Sequence, residues 1–170
     1  MPEQPTEVIQ RYLEDAIAAE KSFETQLRAF AKEGRNSEVQ HAFEQHADET
    51  RAQYEQLTAR LEQLGGSPSV TKSLLAHFFN MAPSVAKLGY EADERTTQNL
   101  MMAFAVENSE IAMYESLITV AEAANDHQTA ELARRIQQQE RTTAEKVWRF
   151  IAPCARQAIQ NVAEETVSSR

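Results

Sequence analysis

Ionisable side chains interrupt the apolar stripes of four helix-like segments in this 170-residue sequence. In each segment apolar residues recur at three- and four-residue spacing, which predicts one buried face of a helix. Near the middle of each stripe that face carries groups able to bind a metal ion, because carboxylates and imidazoles are common metal ligands. These groups and the polar residues beside them are Glu20, then His46, Glu49 and Gln53, then Glu107, Glu110 and Tyr114, and finally Glu140 and Thr143.

Burying five carboxylates requires a compensating charge. Each unpaired carboxylate costs several kcal/mol to remove from water, and together they would exceed the stability of an ordinary domain. The stripes carry no Lys or Arg near the acids. Proton sharing would raise the pKa values and neutralise some of the acids, whereas two divalent cations would supply four positive charges against five negative ones. The pattern therefore favours a metal site, with His46 either a direct ligand or a hydrogen-bond partner.

Glycine and proline residues divide the chain into the elements that must position these groups. Long stretches without either residue are rich in strong helix formers. They predict four helices over about 6–33, 37–64, 91–124 and 127–151, with a break at Asn125-Asp126. A long connection between the second and third helices contains a predicted short helix at 74–79. The sequence thus predicts an all-α bundle of two antiparallel hairpins with one long crossover, which is the ferritin-like connectivity.

The spacing from each predicted turn places the acids at one depth. Glu20 and Glu49 lie about 15 residues to either side of a turn near residue 35. Glu110 and Glu140 lie about as far from the second turn. At about 1.5 Å of rise per residue, the members of each pair lie level to within a turn. We therefore expect all five acids and His46 to converge near the middle of the bundle.

The whole-chain composition limits the classes of protein that remain. The formal net charge of −9 argues against nucleic-acid binding, and no apolar run is long enough to predict a membrane span. A single cysteine and a start without an apolar leader indicate a cytoplasmic protein.

The chain is expected to form a single domain over 1–170, with a four-helix core over 6–151 and a tail or short helix over 153–170. We expect a homodimer or larger homo-oligomer, with Phe78, Phe79 and Met81 in the crossover as a contact surface.

Four short motifs resemble those of the bacterial YciE/YciF-type stress-associated proteins of the ferritin-like superfamily, over roughly residues 6–151. Among related proteins, rubrerythrin similarly carries two acids three residues apart on its third helix. Di-iron members usually have Glu-x-x-His on the second and fourth helices. Here the second helix has the reverse order, and Thr143 stands where a histidine is expected, so the ligand set is rich in carboxylate and suits manganese as well as iron. The motifs are Ala19-Glu20-Lys21, His46-Ala47-Asp48-Glu49-Thr50, Val106 to Tyr114, and Glu140-Arg141-Thr142-Thr143.

The resemblance implies a pair of Fe or Mn ions, with Zn as a possible substitute, that handles hydrogen peroxide or dioxygen. The reaction would be peroxide disproportionation, peroxide reduction or oxidation of ferrous iron. Glu49 and Glu110 would bridge the metals, Glu20 and Glu140 would be terminal ligands, and Glu107 would be terminal or change its binding mode. Tyr114, Thr143 and Gln53 would form hydrogen bonds around the ligands. Two alternatives remain open: a non-enzymatic stress or assembly protein with a vestigial or structural metal site, and iron storage in a cage.

Overall fold

A computed structural model describes residues 4–68 and 91–168, and four long helices make up most of these ranges. The helices are α1 (Pro5–Glu33), α2 (Ser37–Gln63), α3 (Ala92–Ala123) and α4 (His127–Ser168). Within these ranges there is no strand, so the predicted all-α class is confirmed. The short helix predicted at 74–79 and the contact surface predicted at Phe78, Phe79 and Met81 lie outside the described residues. No helix in the described ranges is long and apolar enough to cross a membrane.

Local capping interactions explain where the helices begin. The Asn36 side chain accepts hydrogen bonds from the backbone N–H groups of Glu38 and Val39, both at 3.1 Å, which satisfies free donors at the start of α2. The predicted break before α4 is also present, since Asn125 has a positive φ of 59°. Asp126 then accepts a hydrogen bond from the backbone N–H of Thr129 at 3.0 Å. Each hairpin therefore turns sharply, and its two helices run side by side.

The fourth helix does not end near residue 151, as the sequence predicts, but continues through Pro153 to Ser168. A proline inside a helix removes one backbone hydrogen bond and costs about 3 kcal/mol. Contacts made beyond the proline compensate, because Cys154 and Ala158 are buried against the bundle. Asn161 also donates a hydrogen bond to Asp93 at the start of α3, with a distance of 2.8 Å. The predicted tail is therefore a continuation of α4 that packs beside α3.

An apolar core fills both ends of the bundle and leaves the ionisable groups in a layer between them. On α1, for example, Leu13 lies on one side of Glu20, and Phe23 and Leu27 lie on the other, all buried. Matching layers come from α2, α3 and α4, and the fully buried members include Leu57, Leu61, Leu100, Leu117 and Ile136. Since long apolar layers enclose this central layer at both ends, its ionisable groups are shielded from water.

Candidate metal centre

Helix α1 contributes Glu20, which is completely buried. Its Oε1 accepts a hydrogen bond from the hydroxyl of Tyr114 on α3, while Oε2 has no partner among the described residues. Burial raises the pKa of Glu20 well above its usual range, repulsion from Glu140 adds to the effect, and the Tyr114 hydrogen bond opposes it. The Tyr114 side chain is itself buried, and its contact fixes the orientation of the Glu20 carboxyl group.

Helix α3 contributes Glu107 and Glu110, which point the same way because residues three apart share a helix face. Both are buried. Neither oxygen of Glu110 finds a hydrogen-bond partner in the described part of the chain. Burial, with repulsion from Glu20 and Glu140, raises the pKa of Glu110 well above the usual value. Burial also raises the pKa of Glu107, to about 8. Without a metal ion, Glu107 is therefore largely protonated at neutral pH, and burial favours the neutral form of Glu110 as well.

Helix α2 contributes His46, whose Nε2 lies 2.9 Å from Oε1 of Glu107. The His46 ring packs edge-on against Phe23, with centroids 5.2 Å apart. Burial lowers the pKa of His46 to about 4, so the imidazole is neutral at pH 7. Neither ring nitrogen forms a hydrogen bond within the described ranges. A neutral imidazole with a free lone pair is the form that binds metal ions.

Helix α4 contributes Glu140, which completes a group of three candidate ligands. One ligand atom each from His46, Glu107 and Glu140 lies within 4.8 Å of the other two. Gln53 on α2 donates a hydrogen bond to Oε1 of Glu140 at 2.5 Å. Burial and the neighbouring charge of Glu107 raise the pKa of Glu140. A hydrogen bond from Gln53 thus fixes Glu140 much as Tyr114 fixes Glu20.

The structure brings together four of the five predicted acids, and Glu49 lies outside this buried group. Its side chain is exposed and lines a surface cavity beside His46. Helix α2 instead turns His46, Thr50 and Gln53 inward, at spacings of four and three residues, so Glu49 lies at the edge of that face. A metal-ligand role for Glu49 stays a prediction, and it requires the side chain to turn toward the interior.

Sequence reasoning missed Thr50, which is buried between His46 and Gln53 on the inward face of α2. Its hydroxyl has no hydrogen-bond partner among the described residues. The signal that could have found it is the four-residue step from His46. Thr143 is also buried and lines the same surface cavity as His46, one turn beyond Glu140. Neither threonine supplies the imidazole that a second histidine would.

The donor set fits divalent metal ions. Four carboxyl groups and one imidazole meet in a buried layer, and several of their oxygen and nitrogen atoms have no protein partner in the described residues. No Lys or Arg forms an ion pair with the four acids within residues 4–68 and 91–168. Two divalent ions would balance the four negative charges. Hard carboxylate oxygens with one nitrogen suit manganese and ferrous iron, and Glu20, His46, Glu107, Glu110 and Glu140 are the candidate ligands.

A four-helix bundle with buried carboxylates at its centre defines the ferritin-like class of fold. Residues 4–160 match the family described as "Domain of unknown function (DUF892)". This chain belongs to that family, and the predicted likeness to YciE/YciF-type proteins is confirmed.

Solved structures agree with this assignment. The protein XCC3681 from Xanthomonas campestris pv. campestris is 26% identical, with a TM-score of 0.78, and the match covers 95% of this chain and 99% of that one. The E. coli stress protein YciF is 24% identical, with a TM-score of 0.80 and coverage of 91% and 99%. The Dps protein from Vibrio cholerae O1, described as a member of a broad superfamily of ferritin-like diiron-carboxylate proteins, is 13% identical, with a TM-score of 0.70 and coverage of 86% and 91%. These structures share the ferritin-like bundle fold with this chain.

Proposed function

We propose that this protein is a di-metal carboxylate protein of the oxidative-stress type, which binds two Fe or Mn ions and acts on hydrogen peroxide or dioxygen. The observation that carries the proposal is the buried layer of four carboxyl groups without a cationic partner among the described residues. Such a layer is costly in a protein that binds nothing there. The similar E. coli protein YciF is a stress protein, which supports a role in oxidative stress.

The side chains of this protein have separate roles in the proposal. Glu20 and Glu140 would be terminal ligands, Glu110 would be a ligand shared by both metals, and Glu107 would be terminal or would change its binding mode. Tyr114 and Gln53 hold Glu20 and Glu140 in place, as expected of hydrogen-bond partners around metal ligands. Bound Fe or Mn would supply the electrons for peroxide or dioxygen chemistry. The protons held by the raised-pKa acids would leave when metal binds.

The second candidate is a non-enzymatic stress or assembly protein whose metal site is structural or vestigial. The presence of Thr143 where di-iron relatives are expected to carry a histidine favours it, because one imidazole holds a redox pair less firmly than two. Zn would serve as well as Fe or Mn in a structural site. Elemental analysis of protein purified without chelator, combined with a peroxide assay, separates the two, since close to two Fe or Mn per chain together with peroxide consumption supports the first. Protein that stays empty when both metals are supplied supports the second.

The direct test of the first candidate compares two isosteric changes. Glu110→Gln removes a proposed bridging ligand, and Glu131→Gln makes the same change at an exposed position on α4. We expect hydrogen peroxide consumption, or oxidation of ferrous iron, to disappear in Glu110→Gln and to persist in Glu131→Gln. Full activity in a correctly folded Glu110→Gln protein would contradict the assignment.

We further propose that the protein acts in the cytoplasm as a homodimer or larger homo-oligomer. Two apolar side chains on the outer face of α3 and α4 support this, since Trp148 is 61% exposed and Met101 is 51% exposed. The Trp148 ring packs on Phe104 with centroids 5.0 Å apart. Light scattering of the purified chain should give at least twice the monomer mass of 19.2 kDa. A cage that stores iron would be far larger.

A further inference from the structure

A cavity of about 340 Å³ lies between α2 and α4, next to the buried layer. Its volume is at the lower end of the range of about 300–1,000 Å³ that is typical of small-molecule sites. Side chains of α2, α3 and α4 form its apolar wall. The largest of them are Val39, Phe43, Leu100, Val147 and Phe150.

Two buried polar side chains interrupt this apolar wall. His46 and Thr143 both line the cavity, and both are at least nine-tenths buried. Nε2 of His46 lies 2.9 Å from Oε1 of Glu107, and Nδ1 has no hydrogen-bond partner among the described residues. A buried polar atom without a partner destabilises the protein. A ligand that forms a hydrogen bond with Nδ1 would remove that destabilisation.

Charged groups at the cavity limit what can enter. Glu38, Glu49 and Lys146 line it and carry a net charge of −1 together. A carboxylate or phosphate ligand would meet two acids and one base, so anions are disfavoured. A small cation would gain little from a wall that is mostly apolar. An uncharged molecule with a large apolar part matches both the wall and the charges.

We propose that this cavity binds an uncharged, mainly apolar organic molecule with one hydroxyl or hydroperoxyl group, and that this group forms a hydrogen bond with Nδ1 of His46. The apolar part fills the space between Phe43, Val147 and Phe150, where burial of apolar surface contributes about 25 cal/mol per Å². Binding needs no metal ion and therefore goes beyond the proposed function. If both hold, the oxygen end of the molecule lies beside the metal centre, because His46 belongs to both sites.

The test uses 2-phenylpropan-2-ol and isopropylbenzene, which differ in one hydroxyl group, and measures binding to the full chain by titration calorimetry and by NMR of the backbone amides. We expect saturable binding of one molecule per chain, with shifts confined to residues around the cavity. The alcohol should bind roughly three- to tenfold more tightly than the hydrocarbon, as one hydrogen bond predicts. His46→Phe should abolish this preference.

A matched pair of variants tests the proposal even if the His46→Phe protein does not fold. Ala42 is half-buried and lines the cavity, so Ala42→Phe should fill it and weaken binding at least tenfold. Ala52→Phe makes the same change at an exposed position on α2 and should leave binding unchanged. Absence of saturable binding to the unaltered chain, or equal binding to both alanine variants, would overturn the proposal.

Metal content and catalytic activity do not enter this measurement. If the protein binds the alcohol in the cavity but takes up no Fe or Mn, this inference is supported and the proposed function is contradicted. If the protein holds both metals and consumes peroxide but does not bind the alcohol, the proposed function is supported and this inference is contradicted.

Discussion

Nε2 of His46 lies 2.9 Å from Oε1 of Glu107, and both side chains are buried at the centre of the bundle. Burial lowers the pKa of the imidazole to about 4 and raises the pKa of the carboxyl group to about 8. At pH 7 the pair is therefore neutral in the absence of metal, although an isolated contact of this kind would often be an ion pair. Burial favours the neutral form of both groups, and each of them is able to bind a metal ion.

Glu110→Met should stabilise the metal-free protein and remove its response to metal. Methionine has a similar length and carries no group that needs a hydrogen bond, whereas both oxygens of Glu110 lack a partner among the described residues. A buried polar group without a partner costs about 1–3 kcal/mol, so we expect the free energy of unfolding in chelator, measured by urea denaturation at pH 8, to rise by about that amount. Glu131→Met on the surface of α4 should change it by less than about 0.5 kcal/mol. A large loss of stability in Glu110→Met would show that the carboxyl group is needed for the fold itself.

The metal-free protein should lose stability as the pH rises from 6.5 to 8. The folded-state pKa of Glu107 is about 8 against an ordinary value of 4.5, so the folded state holds a proton that the unfolded state has released. This contribution is complete below about pH 4.5 and is lost as the pH rises toward 8. His46 acts in the opposite direction only between about pH 4 and 6.5, below the window tested.

The measurement for this pH dependence is urea denaturation at several pH values between 6.5 and 8, with chelator and with added Mn. Glu107→Gln should make the slope in chelator shallower, because the amide does not titrate, while the raised pKa values of Glu20, Glu110 and Glu140 maintain the remainder. Added Mn should reverse the slope, since metal competes with protons for the same oxygens. Stability that does not fall with pH in chelator would mean that the buried acids are ionised in the metal-free fold.

Tyr114→Phe should weaken metal binding by loosening Glu20. The change removes the hydroxyl that donates to Oε1 of Glu20 and leaves a buried acceptor without a partner, which costs about 1–3 kcal/mol of stability. Loss of such a supporting hydrogen bond typically lowers metal affinity about 10- to 100-fold. Tyr12→Phe, at an exposed tyrosine on α1, is the matched control. Metal titration of both variants checks this, and equal affinities would rule out the positioning role.

Pro153→Ala should stabilise the protein without altering metal content. Pro153 is exposed and lies inside α4, and replacing a proline in a helix interior by alanine removes a penalty of up to about 3 kcal/mol. We expect a higher free energy of unfolding in urea and unchanged binding of Mn. Exposed Ala152→Pro, one residue earlier, should destabilise instead. A fall in stability for Pro153→Ala would contradict a continuous α4.

The sequence alone determined the four long helices of the described ranges, the turns near residues 35 and 125, and the depth of the acidic layer. Gly and Pro positions mark helix ends because of their backbone geometry, and a constant rise per residue converts spacing into depth. Glu20, Glu107, Glu110 and Glu140 could be found in this way because each interrupts an otherwise apolar face. Their burial in one layer follows directly from that pattern.

Only the tertiary structure decided which side chains of α2 face inward. Glu49 and Thr50 are adjacent, and a rotation of about 100° per residue separates an exposed position from a buried one. The rotation of α2 about its own axis depends on its packing against α1 and α4. The period of the apolar stripe does not determine this rotation to within one residue. The continuation of α4 past Pro153 also depends on contacts between residues far apart in the chain, such as Asp93 with Asn161. The cavity beside His46 likewise depends on how the helices pack. Local propensity fixes the helices and the level of the site, while packing between helices fixes which atoms meet there.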